Sequence, residues 1–208
     1  MLTFSPLAPS DYRQTRWKNG GGATSEIAVY PAASGLDDFL WRVSVADIAR
    51  DGPFSRFPGV ERTIVLLSDD GMRLTGDGGA LDLRTLHEPV TFSGDSALEC
   101  ILAGGPSRDF NLMVRSAAAK GEVVVVRGAA EALPPAHAYV CYAAEGTSEC
   151  LIAGQPPVEL APAHALVMTR DHASPLPALH VYPTSASSVA LVAVITLPSA
   201  AMDHASAP

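Results

Sequence analysis

Apolar and polar side chains alternate along most of this chain with a period of two, the spacing of strands that bury one face. After a lead-in over residues 1–14 that carries Pro6 and Pro9, Thr24 to Tyr30 sets Ile27 and Val29 against Glu26 and Ala28, with Thr24 and Glu26 sharing a face. Phe39 to Ala46 places Trp41, Val43 and Val45 on one side and Arg42, Ser44 and Ala46 on the other. The second side is either solvent or the lining of a cavity, and alternation does not decide between them. Arg62 to Leu67 is a further strand, after which Asp69-Asp70-Gly71 reads as a hairpin turn before Met72 to Thr75. Ala80 to Leu86, Pro89 to Phe92 and Leu98 to Leu102 follow, punctuated by Gly, Asp and Pro. From Gly121 a second series begins, richer in Ala, Val and Pro, and runs to Val189 to Leu197. No long segment has the 3.6-residue period of an amphipathic helix. Strands at intervals of roughly ten residues predict an all-β protein, with an N-terminal half over 1–115, a C-terminal half over 116–197 and a disordered tail over 198–208.

One stretch breaks the alternation. Trp17-Lys18-Asn19-Gly20-Gly21-Gly22 gathers one of the two tryptophans, one of the two lysines and one of the two asparagines immediately before the first long strand. Consecutive glycines admit positive φ, so the backbone can turn sharply and aim several N–H groups at one point. That is a way to hold a small anion, with Trp17 as a wall. The alternative is a flexible strand entry in which Trp17 plugs the core and Lys18 is solvated. A second dense turn, Asp51-Gly52-Pro53-Phe54-Ser55-Arg56-Phe57-Pro58-Gly59, reads as a fixed loop whose phenylalanines plug a barrel end. Asp51 either caps that turn or faces a ligand.

Composition narrows the function. At 208 residues, 48% hydrophobic and 17% charged, the chain is long and apolar enough to bury a core. A formal net charge of −8 with no basic run argues against nucleic acid. The longest apolar run, Val189 to Ile195, falls far short of the ~20 residues of a spanning helix, and no leader pattern opens the chain. No membrane association is expected. Cys100, Cys141 and Cys150 show no metal-ligand spacing and fit buried free thiols in a reducing cytoplasm. The six histidines form no HxH pair and no HExxH helix, and neither GxSxG, GxGxxG nor a P-loop is present. Neither metal nor cofactor is expected.

What remains is a polar set in the first 113 residues: Lys18, Asn19, Glu26, Arg42, Ser44, Asp51, Arg62, Asp109 and Asn111. Arg42 offers a planar fork to a carboxylate and Lys18 a point charge. Asn19 and the Gly20 and Gly21 amides would complete the hydrogen bonding. Glu26 is either the counter-charge of Arg42 or Arg62, or a general base. The expected ligand site is Trp17, Lys18, Asn19, Gly20, Gly21, Arg42, Ser44, Arg62 and Asn111, with Glu26 and Asp51 as candidate acid/base groups.

At these residues the chain resembles the HutD/Ves family. The matching runs are Trp17 to Thr24 with Glu26-Ile27-Ala28, Trp41-Arg42-Val43-Ser44 with Ala46, Asp51 to Ser55 with Phe57-Pro58-Gly59, Arg62, Leu66-Leu67, and Asp109-Phe110-Asn111-Leu112-Met113. Ser25 departs from them, standing where the family often carries arginine. The resemblance implies a bicupin, two RmlC-like β-barrel or jelly-roll halves in one unit without the histidine-rich metal motif. It also implies an association with histidine utilisation, whose metabolites urocanate, formiminoglutamate, formylglutamate and glutamate all carry carboxylates. The expected role is to bind such an anion as an accessory or regulatory factor, the alternative being a metal-free hydrolase or isomerase. Open barrel edges fit a homodimer.

Overall fold

The computed structural model describes residues 2–170 and 174–198, and the tail expected from residue 198 lies outside the described residues apart from Pro198. In chain order the strands are β1 (Leu2–Leu7), β2 (Arg13–Arg16), β3 (Gly22–Tyr30), β4 (Trp41–Ile48), β5 (Gly52–Phe54), β6 (Val60–Leu66), β7 (Met72–Gly76), β8 (Gly79–Leu83), β9 (Pro89–Ser93), β10 (Leu98–Leu102) and β11 (Ser107–Arg115). They continue as β12 (Lys120–Arg127), β13 (Glu131–Leu133), β14 (Ala138–Glu145), β15 (Ser148–Ile152), β16 (Val158–Leu160), β17 (Ala165–Arg170), β18 (Leu179–Pro183) and β19 (Val189–Thr196). A three-residue 3-10 turn at Pro9–Asp11 is the only helical element among the described residues. The chain is all-β, and every paired strand is antiparallel to its neighbours.

Two compact units emerge, one spanning Arg13–Ala117 and the other joining the residues up to Tyr12 with those from Ala118 onward. In the first, a six-stranded sheet of order β2-β3-β4-β11-β6-β9 accompanies a four-stranded sheet of order β5-β10-β7-β8. In the second, a five-stranded sheet β1-β17-β14-β19-β12 accompanies a four-stranded sheet β13-β18-β15-β16. The order β4-β11-β6-β9 with β5-β10-β7-β8 therefore recurs as β12-β19-β14-β17 with β13-β18-β15-β16.

Each unit closes an apolar interior between its own two sheets. In the first, Ile48, Ile64 and Leu66 of the large sheet pack with Phe54, Met72, Leu74, Leu83 and Cys100 of the small one. In the second, Val126, Tyr139, Cys141, Leu166, Met168 and Val192 pack with Leu133, Cys150, Ile152, Leu160 and Val181. All three cysteines are free and buried.

Four expectations change. The lead-in over residues 1–14 contains β1 and β2. The first pairs with β17 at a sheet edge, where Pro6 costs no ladder bond, so residues 1–12 group with the C-terminal strands and not with the half expected over 1–115. β2 is exposed at every residue and pairs through its backbone with β3, leaving no apolar alternation to read. The turn at Asp69-Asp70-Gly71 is not a hairpin: β6 pairs with β9 and β11, β7 with β8 and β10, so the turn carries the chain between sheets. The fixed loop expected over Asp51 to Gly59 contains β5, paired with β10.

Candidate functional site

Strand register decides which polar side chains share a face. On β4, Arg42, Ser44 and Ala46 lie on the side of Ile48, which packs on the four-stranded sheet, so this face is the interior of the N-terminal unit and not solvent. Register then brings Asp109 beside Ala46 and Leu66, Asn111 beside Ser44 and Ile64, and Met113 beside Arg42 and Arg62. On β3, Glu26 pairs with Ser44, but Ala28 pairs with Val43 on the opposite face, because a bulge inserts one residue between them. The bulge aims Glu26 inward at the cost of one unpaired residue.

The result is a buried polar row on the inner face of four adjacent strands: Glu26, Arg42, Ser44, Asp109, Asn111 and Arg62, all under 10% exposed. Arg42 Nε donates to Glu26 Oε2 at 2.6 Å. The other carboxylate oxygen of Glu26 lies 3.5 Å from Nε of the exposed Arg13 on β2. Glu26 thus sits between two guanidinium groups, the counter-charge role expected for it.

Arg62 is held differently. Its guanidinium carbon lies 4.5 Å from the Phe54 ring centroid, 5.3 Å from Phe92 and 5.4 Å from Phe57, a cation sandwiched by aromatic faces. Nη1 donates to Ser55 O at 3.2 Å, and Nε has no partner. Burial lowers its pKa from 12.5 to about 10; the Asp109 carboxylate opposes that shift and Arg42 adds to it. The phenylalanines read as barrel plugs thus also hold a cation.

Asp109 is fully buried, and neither carboxylate oxygen has a hydrogen-bond partner; Asn111 Oδ1, two residues along the same face, has none either. Burial raises the Asp109 pKa from 3.8 to about 7, against the pull of Arg62 and with a smaller push from Asp47. Its field crosses to the other sheet: burial first, then Asp109, pushes the Cys100 thiol on β10 up to about 11. The interior therefore contains two cations, one committed carboxylate and one carboxyl that titrates near neutrality.

The tryptophan-glycine stretch is the tip of the β2–β3 hairpin. Gly20 takes φ +67, and a Cβ on Gly22 would sit 2.3 Å from Asp47 O and 3.1 Å from the Trp17 ring, so only glycine fits there. Trp17 Nε1 donates to Thr24 Oγ1 at 2.8 Å and its ring packs on the apolar cluster of the unit, so Trp17 joins the inner face. The amides aim elsewhere. Gly20 N donates to Trp17 O at 3.0 Å and Gly21 N to Asn19 Oδ1 at 2.9 Å, while the Asn19 carbonyl accepts from Arg50. Asn19 closes an Asx turn, and Lys18, Asn19 and Gly20 are exposed.

Asp51 is also exposed and accepts from Leu102 N at 2.8 Å, fastening β5 to β10. Of the expected set, the structure gathers Trp17, Glu26, Arg42, Ser44, Arg62 and Asn111, buries Gly21 in the hairpin with its amide taken up by Asn19, and leaves Lys18, Asn19, Gly20 and Asp51 at the surface. Asp109 joins the gathered set. The sequence reading placed it in the polar cluster without a site role; its signal was Asp-Phe-Asn, two polar residues at strand spacing around a buried Phe110. Among the described residues, no three His, Cys, Asp or Glu side chains are grouped as metal ligands, and no helix is long and apolar enough to cross a membrane.

Comparison with known proteins follows the same lines. Residues 9–182 match the family model described as HutD. An uncharacterised 21.2 kDa protein from the hutC 3' region of Pseudomonas putida is 38% identical over 155 residues, 74% of this chain and 81% of that protein. The structure of HutD from Pseudomonas fluorescens aligns with a TM-score of 0.78 at 31% identity, over 95% of this chain and 100% of that one. A cupin 2 conserved barrel domain protein from Leptotrichia buccalis is only 8% identical but aligns with a TM-score of 0.52, over 88% of this chain and 96% of that one. That last likeness concerns the fold alone, which is cupin-like.

Proposed function

This chain belongs to the HutD family, and on that premise we propose that its N-terminal unit binds a small carboxylate metabolite of histidine degradation, serving histidine utilisation as an accessory or regulatory protein. Urocanate, formiminoglutamate and formylglutamate are the candidate ligands. The observation that carries this reading is Arg62, a buried guanidinium caged by three phenylalanine rings with Nε unpartnered. Arg42 is already neutralised by Glu26, so Arg62 is the cation with capacity for an incoming anion. When Asp109 holds its proton, the interior set carries a net positive charge that a carboxylate complements. The exposed Lys18, Arg13, Arg16 and Arg50 add local positive charge around the hairpin of an acidic protein and favour anion approach.

The enzymatic alternative relied on Glu26 or Asp51 as acid/base. Glu26 is engaged by Arg42 and Arg13, and Asp51 by the Leu102 amide. Neither geometry offers a free proton acceptor beside a ligand, so binding is the better-supported role.

Isothermal calorimetry against urocanate, formiminoglutamate, formylglutamate and glutamate, with the recovered ligand analysed by mass spectrometry, tests the proposal. Saturable binding of at least one, recovered intact, and a loss on the order of 10- to 150-fold in Arg62→Met are expected. Equal affinity in wild type and Arg62→Met overturns the assignment, and a converted ligand replaces it with the enzymatic one.

A further inference from the structure

Resting on that carboxylate reading, we propose that the ligand also carries an N–H donor group, and that Asp109 and Asn111 receive it. Buried polar atoms in folded proteins are nearly always partnered, so unpartnered ones identify what is missing. One such atom, Ser148 Oγ, stands alone among the described residues of the C-terminal unit; those of the N-terminal unit cluster and fall into two kinds: one donor, Arg62 Nε, and three acceptors, the two Asp109 oxygens and Asn111 Oδ1. The acceptors are neighbours on the inner face of β11, two residues apart in an extended strand.

Among the described residues, none is aimed to close them. The residues opposite on β4 and β6 are Ala46 and Leu66 for Asp109, Ser44 and Ile64 for Asn111. Only Ser44 carries a side-chain donor, and Asn111 Oδ1 remains unpartnered beside it. The two buried arginines are turned elsewhere, Arg42 toward Glu26 and Arg62 Nη1 toward Ser55 O. Nor does the fold require polar groups on this strand. Its counterpart in the C-terminal unit, β19, presents Ala190, Val192 and Val194 to its interior.

A ligand with a carboxylate alone satisfies Arg62 Nε but leaves the acceptor oxygens of Asp109 and Asn111 open. A ligand with a carboxylate at one end and an imidazole, amidine, amide or ammonium N–H at the other satisfies both kinds of atom. Such an N–H group is an essential recognition element, and the β11 pair discriminates ligands that have it from those that lack it.

The test uses ligand pairs that share the carboxylate and differ in the donor: urocanate against 3-(2-furyl)acrylate, whose ring has no N–H, and formiminoglutamate against glutarate. Calorimetry on the wild-type protein is expected to give a preference on the order of 10- to 100-fold for the N–H member of at least one pair. That preference should collapse in Asp109→Leu and in Asn111→Leu, with binding of the N–H-free member retained. Thermal unfolding of each variant reports whether it folds, and either variant alone suffices for the comparison. Equal wild-type affinity within both pairs overturns the donor assignment while the carboxylate reading stands. A preference that persists undiminished in a folded variant of each residue also overturns it. Failure of these four compounds and of formylglutamate and glutamate to bind overturns both readings.

Discussion

The same strand order encloses two different interiors. In the C-terminal unit the space between the sheets is filled by Tyr139, Cys141, Leu166, Met168, Val192 and their neighbours; Tyr139 OH is spent on the Pro134 and Pro177 carbonyls, and Ser148 Oγ is buried without a partner. In the N-terminal unit the corresponding strands carry Arg42, Arg62, Asp109 and Asn111 inward, joined by Glu26 from β3. A cupin-like sandwich therefore needs only an apolar, alternating pattern to close. Charged groups in such a space cost several kcal/mol each even after relaxation, so their presence in one unit and absence among the described residues of the other is the ground for proposing a binding role for the N-terminal interior alone.

The largest expected effect comes from breaking the buried ion pair. Glu26→Leu leaves Arg42 buried without its counter-charge and should cost about 3 to 5 kcal/mol, read from urea denaturation. Pairing it with Arg42→Met makes this row resemble its apolar counterpart and should restore most of the loss. A double variant no more stable than the single one would show that the pair is required by the fold and that the two interiors are not built on the same plan.

Next is the pH dependence contributed by Asp109. Its folded-state pKa of about 7 lies above its ordinary value of 3.8, so between those limits the folded chain holds a proton that the unfolded chain has released. The associated stability is fully present below about pH 4 and is lost as the pH rises through about 7. Asp109→Asn should remove this slope and exceed the wild type at pH 8 by on the order of 4 kcal/mol, measured as unfolding free energy against pH. The C-terminal unit has no buried carboxylate among its described residues and contributes no comparable slope. Persistence of the full slope in Asp109→Asn would remove the electrostatic half of the comparison.

The smallest effect is expected at the hairpin tip. Lys18→Ala removes an exposed side chain, and stability should change by no more than about 0.5 kcal/mol in the same denaturation assay. Its effect on ligand binding should fade with added salt, as expected for an exposed charge that draws in an anion. A salt-insensitive loss of affinity would bring Lys18 into the site and make the hairpin part of the binding interior.

Much of this was legible in the order of residues. Period-two alternation located β3, β4, β6, β10 and most of the second series, because a side chain on a pleated strand must face one way or the other. The contrast between a polar first half and an apolar second half was equally visible. Edge strands escaped notice for the converse reason: Arg13–Arg16 is held by backbone bonds alone, and β1 combines weak alternation with Pro6. The Asp-Asp-Gly turn was misread as a hairpin because reversal within a sheet and passage between sheets use the same turn residues.

The sequence by itself determined which residues can face inward together, since parity along a strand is a local property, and it determined that Gly20 and Gly22 stand where the backbone turns. Only the tertiary structure decided what the Arg42 face looks upon, because alternation is identical whether the far side is water or another sheet. Only the tertiary structure, too, separated Asp51 from Asp109. Both are aspartates near turns or strands in the sequence, but one meets the Leu102 amide at the surface and the other is sealed without a partner. Desolvation and hydrogen bonding depend on segments far apart in the chain, and these give one aspartate a fastening role and leave the other buried without a hydrogen-bond partner.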